Sequence, residues 1–199
     1  VRTSWRVTSG PASEPLSTDF VKDWLKVELS VSADDDIVSG LIVAARKRVE
    51  RYTGISLLTQ TIQQAFDQFP SGMNRETPNS ELILGLSPLI LVSSVSYLDS
   101  DGESQVLSSG NYVVDNVSQP ARIAPGHGYA WPEVYSVINA ITVTYTAGHS
   151  ATTDANFPSE LLTAMKLWIA GHYEERQDRA KRYKDASTYI MDGVKIRRF

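Results

Sequence analysis

Two hydrophobic periods alternate along this chain. Near its start, STDFVKDWLKVEL sets Phe20, Val21, Trp24 and Leu25 at helical spacing behind Ser17 as a cap, with Asp19 in the first turn, and predicts a short helix over 17–28. A second helix is predicted over 34–53. There Ile37, Val38, Leu41, Ile42, Ala45, Val49 and Tyr52 share one face, Arg46, Lys47, Glu50 and Arg51 fall largely off it, and Gly54 offers the left-handed stop that glycine adopts without a Cβ clash. Over 57–148 the period drops from 3.6 to 2. TQTIQQAFDQF, ELILGL, ILVSSVSYLD, QVLS, NYVVD, ARIAP and VINAITVTYTAG read as short strands separated by Pro, Gly, Asn and Asp clusters, with a hairpin turn at Ser100, Asp101 and Gly102. About six or seven such strands imply a small sandwich or rolled sheet. Helical spacing returns over 158–176, where Pro158 suits a first turn and Leu161, Leu162, Met165, Trp168, Ile169, His172 and Tyr173 form a stripe. That stripe is expected to bury against the helix at 34–53.

The flanks lack either period. Residues 1–15, with Gly10, Pro11 and Pro15 among Ser and Thr, read as an extended arm outside the core, and 179–199 as an extended tail that orders only on a partner. The expected fold is therefore α+β, with 16–178 as one domain. Two N-terminal helices and one C-terminal helix make a bundle, and an antiparallel β-rich region is inserted at 57–148.

Composition narrows the class. The chain has 199 residues, 42% of them hydrophobic and 21% charged, as in ordinary globular proteins. No apolar run approaches the roughly 20 residues of a membrane helix, and the N-terminus lacks a signal-peptide core, so a non-membrane protein assembled inside a cell is expected. With no cysteine, disulfides, thiolate metal sites and cysteine nucleophiles are excluded. Charge is unevenly placed. Residues 1–54 are neutral, 55–154 carry a net −7 with no lysine, and 155–199 carry +3. The acidic strand region lacks the basic stripe of a nucleic-acid reader and instead suits a wall that DNA slides past.

Candidate chemistry is sparse. The triplet Asp34, Asp35, Asp36 does not converge on an ion, because neighbours on a helix point about 100° apart. The calcium-loop pattern also fails at Gly40 and the residues after it. Helix capping and dipole complementarity account for the triplet. His127, His149 and His172 stand far apart, none in a zinc pair, and no G-x-S-x-G elbow, dinucleotide fingerprint or phosphate loop occurs. No catalytic residue, metal or cofactor is expected. In APGHGYAWP (124–132), His127, Tyr129 and Trp131 form a candidate partner loop, for which a small carbohydrate- or peptide-binding module is the alternative reading. Against this stands Trp131 as a lid on the sheet core. The basic tail sets Arg179, Lys181, Arg182, Lys184, Lys195, Arg197 and Arg198 among Tyr183, Tyr189, Ile190, Ile196 and Phe199, a mixture that suits a protein partner.

Three phrases in one order carry a resemblance over about 15–178: AARKRVERYTG at 44–54, ARIAPGHGYAWP at 121–132 and VTYTAG at 143–148. The chain resembles the head-to-tail connector, or adaptor, family of tailed bacteriophages and gene transfer agents, the neck ring below the portal. The resemblance implies a virion structural protein without catalysis, assembled in the host cytoplasm into a homo-oligomeric ring of about twelve copies. Such a ring docks on the portal protein, extends the channel through which double-stranded DNA passes, and recruits a downstream neck, stopper or tail-completion protein. It implies a portal-binding role for the tail (Arg179, Arg182, Tyr183, Tyr189, Ile196, Arg197, Arg198, Phe199). Asp34, Asp35, Tyr52 and Tyr173 are then candidate subunit contacts, since a ring contact repeats unlike faces about one axis.

Overall fold

The computed structural model describes residues 3–30, 32–70, 81–173 and 180–196. The fold is α+β, and the chain forms two compact units, one from 1–10 with 59–148 and the other from 11–58 with 149–197.

The second unit is helical. Helix α1 (Thr18–Trp24) starts where Ser17 Oγ accepts the Phe20 N–H at 3.2 Å. It stops short of the expected Glu28 because Lys26 turns left-handed at φ 58°. Helix α2 (Asp35–Thr53) follows a single 3-10 turn over Ser32–Asp34 and ends at Gly54, whose φ of 78° lets its N–H reach Glu50 O at 2.9 Å. Helix α3 (Glu160–Tyr173) lays Leu161, Ala164, Met165 and Ile169 against Val38, Ile42, Ala45 and Val49 of α2, all buried in one cluster. The i, i+3, i+4 spacing of both sets makes each helix bury one stripe.

The C-terminal segment corrects the expectation of an extended tail. Ala180–Val194 is a helix, α4, with Met191 fully buried in the same cluster and Ile190, Val194 and Ile196 packed against it. Ser187 Oγ donates to Ala164 O at 2.9 Å, so the backbones of α3 and α4 approach closely where both residues are small. The period was present in Tyr183, Ser187, Ile190, Met191 and Val194, but a small serine in the stripe and interleaved Lys and Arg obscured it.

The first unit is all β. Its main sheet runs β1-β2-β8-β4-β5, every neighbour antiparallel, from β1 (Thr3–Ser9), β2 (Gln60–Phe66), β4 (Leu89–Leu98), β5 (Ser104–Val106) and β8 (Ile141–Ala147). A smaller antiparallel sheet runs β3-β7-β6, from β3 (Leu82–Ile83), β6 (Tyr112–Asp115) and β7 (Arg122–Pro125). Ile62, Phe66, Val143 and Tyr145 of the first sheet share one core with Leu82 and Ile123 of the second. In β2 and β8 buried positions alternate strictly with partly exposed ones, the period that made them legible. Two of the buried positions of β2 are polar, Gln60 at 2% and Gln64 at 1% exposed, and Gln64 is tied to β1, β8 and the segment at 83–85. Its Oε1 accepts the Gly85 N–H (2.7 Å) and the Tyr145 hydroxyl (3.2 Å), while its Nε2 donates to Ile83 O (3.0 Å) and Thr3 Oγ1 (2.8 Å).

The N-terminal arm also needs correction, because Thr3–Ser9 is an edge strand registered on β2 from Thr3↔Phe66 to Ser9↔Thr61. Only Trp5 along it is half-buried. A strand that turns one residue toward the core shows no period-2 signal in sequence.

Candidate interaction surfaces

The aspartate triplet opens α2, but two of its three carboxylates reach partners on other helices. Asp34 occupies the N-cap position at φ −100° and ψ 0°, yet its side chain makes no cap bond. Instead Asp34 Oδ2 accepts the Tyr173 hydroxyl at 2.7 Å, joining the start of α2 to the end of α3. Asp35 Oδ1 pairs at 2.7 Å with Lys22 Nζ, on a lysine only 1% exposed that also donates to Leu29 O. Asp36 remains exposed in the first helical turn. Side-chain capping, expected from the residue type, is thus replaced by ties between helices, and dipole complementarity is what Asp35 and Asp36 retain.

At the other end of α2, Tyr52 donates to Asp192 Oδ1 at 2.6 Å and lies under Lys195 Nζ, 4.4 Å from the ring centre. Both phenols, Tyr52 and Tyr173, are held above the ordinary tyrosine range, first because each donates to a carboxylate that would repel the phenolate. The four candidate subunit-contact residues therefore form two tyrosine–carboxylate pairs or their neighbours within one chain.

A buried ion cluster lies between these ends. Arg46, 6% exposed, donates through Nε and Nη2 to Glu14 (2.7 and 3.0 Å) and through Nη1 to Glu50 Oε2 (3.1 Å). Glu50 Oε1 accepts the Leu57 N–H at 3.1 Å. Burial works against the Arg46 charge, but the two carboxylates outweigh it and hold its pKa above the usual value. Sequence reading placed Arg46 and Glu50 off the apolar face. Their i, i+4 spacing was the available signal for an ion pair, whereas Glu14, 32 positions away, carried none.

Of the residues assigned to portal binding, Arg182 and Tyr189 face solvent on α4, Tyr189 at 82% exposure. Tyr183 is half-buried. Ile196 packs on the helical core and donates its N–H to Thr53 O at 2.8 Å. Arg179, Arg197, Arg198 and Phe199 lie outside the described residues. On α1, the Phe20 and Trp24 faces remain about half exposed. Lys166 Nζ sits 4.7 Å from the Trp24 ring centre and 5.6 Å from that of Phe20, so this aromatic pair faces a cation instead of the core.

In the β unit the candidate partner loop splits. His127 and Tyr129 are exposed on either side of the left-handed Gly128, whereas Trp131 stacks on buried Phe69 with ring centres 4.5 Å apart and 7° between planes. Trp131 is part of the wall of the sheet core and does not join Tyr129 in one exposed platform. The β4–β5 hairpin is organised by Asp99, whose Oδ1 accepts the Asp101 and Glu103 N–H groups and whose Oδ2 accepts Gln105 Nε2. These bonds, the Gln105 amide first, hold Asp99 below the usual carboxylate range. In the smaller sheet Asp115 takes two N–H bonds and the Ser118 hydroxyl together with Arg122, which reaches Glu81 with its other end. Among the described residues no group of three His, Asp or Glu side chains is placed to hold a metal ion, and no helix is long and apolar enough to cross a membrane.

These features define a two-unit α+β chain whose distinctive chemistry lies in ties between elements and in exposed charge. No protein-family model matches the sequence, and no curated protein matches it. Solved structures do. A chain from the neck of an empty gene transfer agent particle, computed with C6 symmetry, superposes at TM-score 0.75 with 17% identity over 98% of this chain and 97% of that one. A chain of the native gene transfer agent virion gives 0.73 and 18% over 98% and 96%. One from the native neck computed with C12 symmetry gives 0.66 and 18% over 96% and 97%. The chain has the fold of these gene transfer agent neck and virion chains from end to end.

Proposed function

We propose that this chain is a structural subunit of the neck of a tailed-phage-like particle, an adaptor that forms a ring on the portal, continues the DNA channel and receives the next neck or tail component. The observation that carries this reading is the likeness to two gene transfer agent neck chains over 96–98% of both partners. The symmetry of those necks, sixfold and twelvefold, supports a closed ring, most simply of twelve copies. The net −7 of 55–154 supports a surface that repels phosphate, so that DNA passes without sequence-specific binding. Exposed Arg182 and Tyr189 on α4 give the portal a rigid, basic and aromatic surface. On this reading the protein acts by assembly and turns over no substrate.

Native mass spectrometry of the purified chain, alone and with portal rings from the same particle, tests the proposal. A closed homo-oligomer seated on the portal is expected. A stable monomer that ignores the portal and binds a glycan or peptide through the 124–132 loop overturns it.

A further inference from the structure

The main sheet of the β unit has two outer strands of opposite electrostatic character. At one edge, β1 carries Arg6, whose Nε and Nη2 donate to the neutral Gln63 Oε1. Among the described residues no carboxylate lies within ion-pair distance of it. A cavity of about 330 Å³ lies on the sheet face across β1, β2 and β8, bordered by Ser4, Arg6, Gln63, Ala65, Asn139 and Thr142. At the other edge, β5 is exposed along its whole length, with Val106 at 70%. Its turn presents Asp101 and Glu103, which have no cationic partner among the described residues. Asp99 takes up the turn's N–H groups and thereby fixes the backbone that displays them. No arginine or lysine lies between 76 and 121, and no acid between 1 and 13.

Each edge of a sheet exposes unpaired N–H and C=O groups that template another strand. A ring needs unlike surfaces on the two sides of each subunit. Because all four neighbour pairings in this sheet are antiparallel, its first and fifth strands run in the same direction. A copy brought alongside by rotation about an axis near the strand direction would keep that sense, and its β4–β5 hairpin would meet β1. Resting on the ring reading above, we infer that the β4–β5 hairpin of one copy docks on the free edge of β1 of the next, with Asp101 and Glu103 facing Arg6 at the rim of that cavity. The occupant is a second copy of this chain. The attraction is charge complementarity, reinforced by strand-edge hydrogen bonding and the exposed Val7 and Val106 side chains.

The test is charge exchange, read by sedimentation velocity over a concentration series, with and without portal rings. Arg6→Glu alone and Glu103→Arg alone should each raise the half-assembly concentration about tenfold or more, and the double exchange should recover most of it. Assembly of the wild type should weaken as salt is raised from about 50 to 500 mM. Circular dichroism and thermal melting establish that each variant is folded. If Arg6→Glu is not, Asp101→Lys with Glu103→Arg on the exposed hairpin replaces it, with loss of assembly expected. Single variants that form rings like the wild type overturn the edge contact and leave the ring reading standing, as does a double exchange that recovers nothing. A wild type that forms no ring, alone or on the portal, overturns both.

Discussion

The Tyr173 hydroxyl donates to Asp34 Oδ2 at 2.7 Å across 139 positions of sequence, so the first carboxylate of the triplet anchors the end of α3. The bond is partly exposed, and its net value is about 1 kcal/mol, less than a fully buried charged bond would give. Tyr173→Phe and Asp34→Asn should each lower stability by about that amount, and the double variant by little more. Urea denaturation of the four proteins checks the coupling.

Alkali should release the same tie. Tyr173 and Tyr52 both have folded pKa values above the unfolded one, so each contributes stability that is complete below about pH 10 and is lost as pH rises through the folded value. The urea midpoint of the wild type should therefore fall above pH 10 more steeply than that of Tyr52→Phe/Tyr173→Phe. Parallel curves would show that the two hydroxyls carry no linkage.

The Arg46 cluster makes a larger demand. Removing one member of a buried charged set leaves the others desolvated, at about 3–5 kcal/mol. Glu50 is 3% exposed and also accepts the Leu57 N–H, so Glu50→Ala should fall in that range. Glu14→Ala, with a carboxylate 28% exposed, should cost clearly less. Equilibrium denaturation separates the two, and equal effects would locate the stability elsewhere.

What the sequence made legible follows the strength of each local signal. Helix α2 announced itself through an unbroken apolar stripe closed by Gly54, and β2 and β8 through strict alternation. β1 was hidden because an edge strand with a single half-buried residue has no period to show. α4 was hidden because a serine interrupts its apolar stripe and Lys181, Arg182 and Lys184 crowd its first turns. Contacts between distant positions, such as Glu14 with Arg46 or Tyr52 with Asp192, are products of packing that no local window contains. The aspartates were visible as a helix start, whereas their partners Lys22 and Tyr173 were not.

The order of α4 without any partner is directly measurable. Amides near Ser187 and Met191 should exchange hydrogen slowly in the isolated protein, since Ser187 and Met191 are 1% and 0% exposed. Met191→Ala should cost about 2–5 kcal/mol. Deleting 180–199 should destabilise the helical unit as well as remove the proposed portal surface. Fast exchange throughout 180–196 would return the segment to the status of a tail that orders on binding.

Trp131 and Tyr129 separate packing from recognition within one loop. Trp131 stacks on Phe69, itself 6% exposed, whereas Tyr129 is 54% exposed. Truncating the stacked ring removes apolar contacts and opens a void, so Trp131→Ala should destabilise the protein by about 3 kcal/mol. Tyr129→Ala should stay within about 0.5 kcal/mol. If the exposed loop is a partner surface, Tyr129→Ala weakens binding to the next neck component at unchanged stability, while Trp131→Ala affects both. Binding measured beside melting for the two variants decides the matter, because a Trp131 variant of wild-type stability would mean that the ring is not a wall of the core.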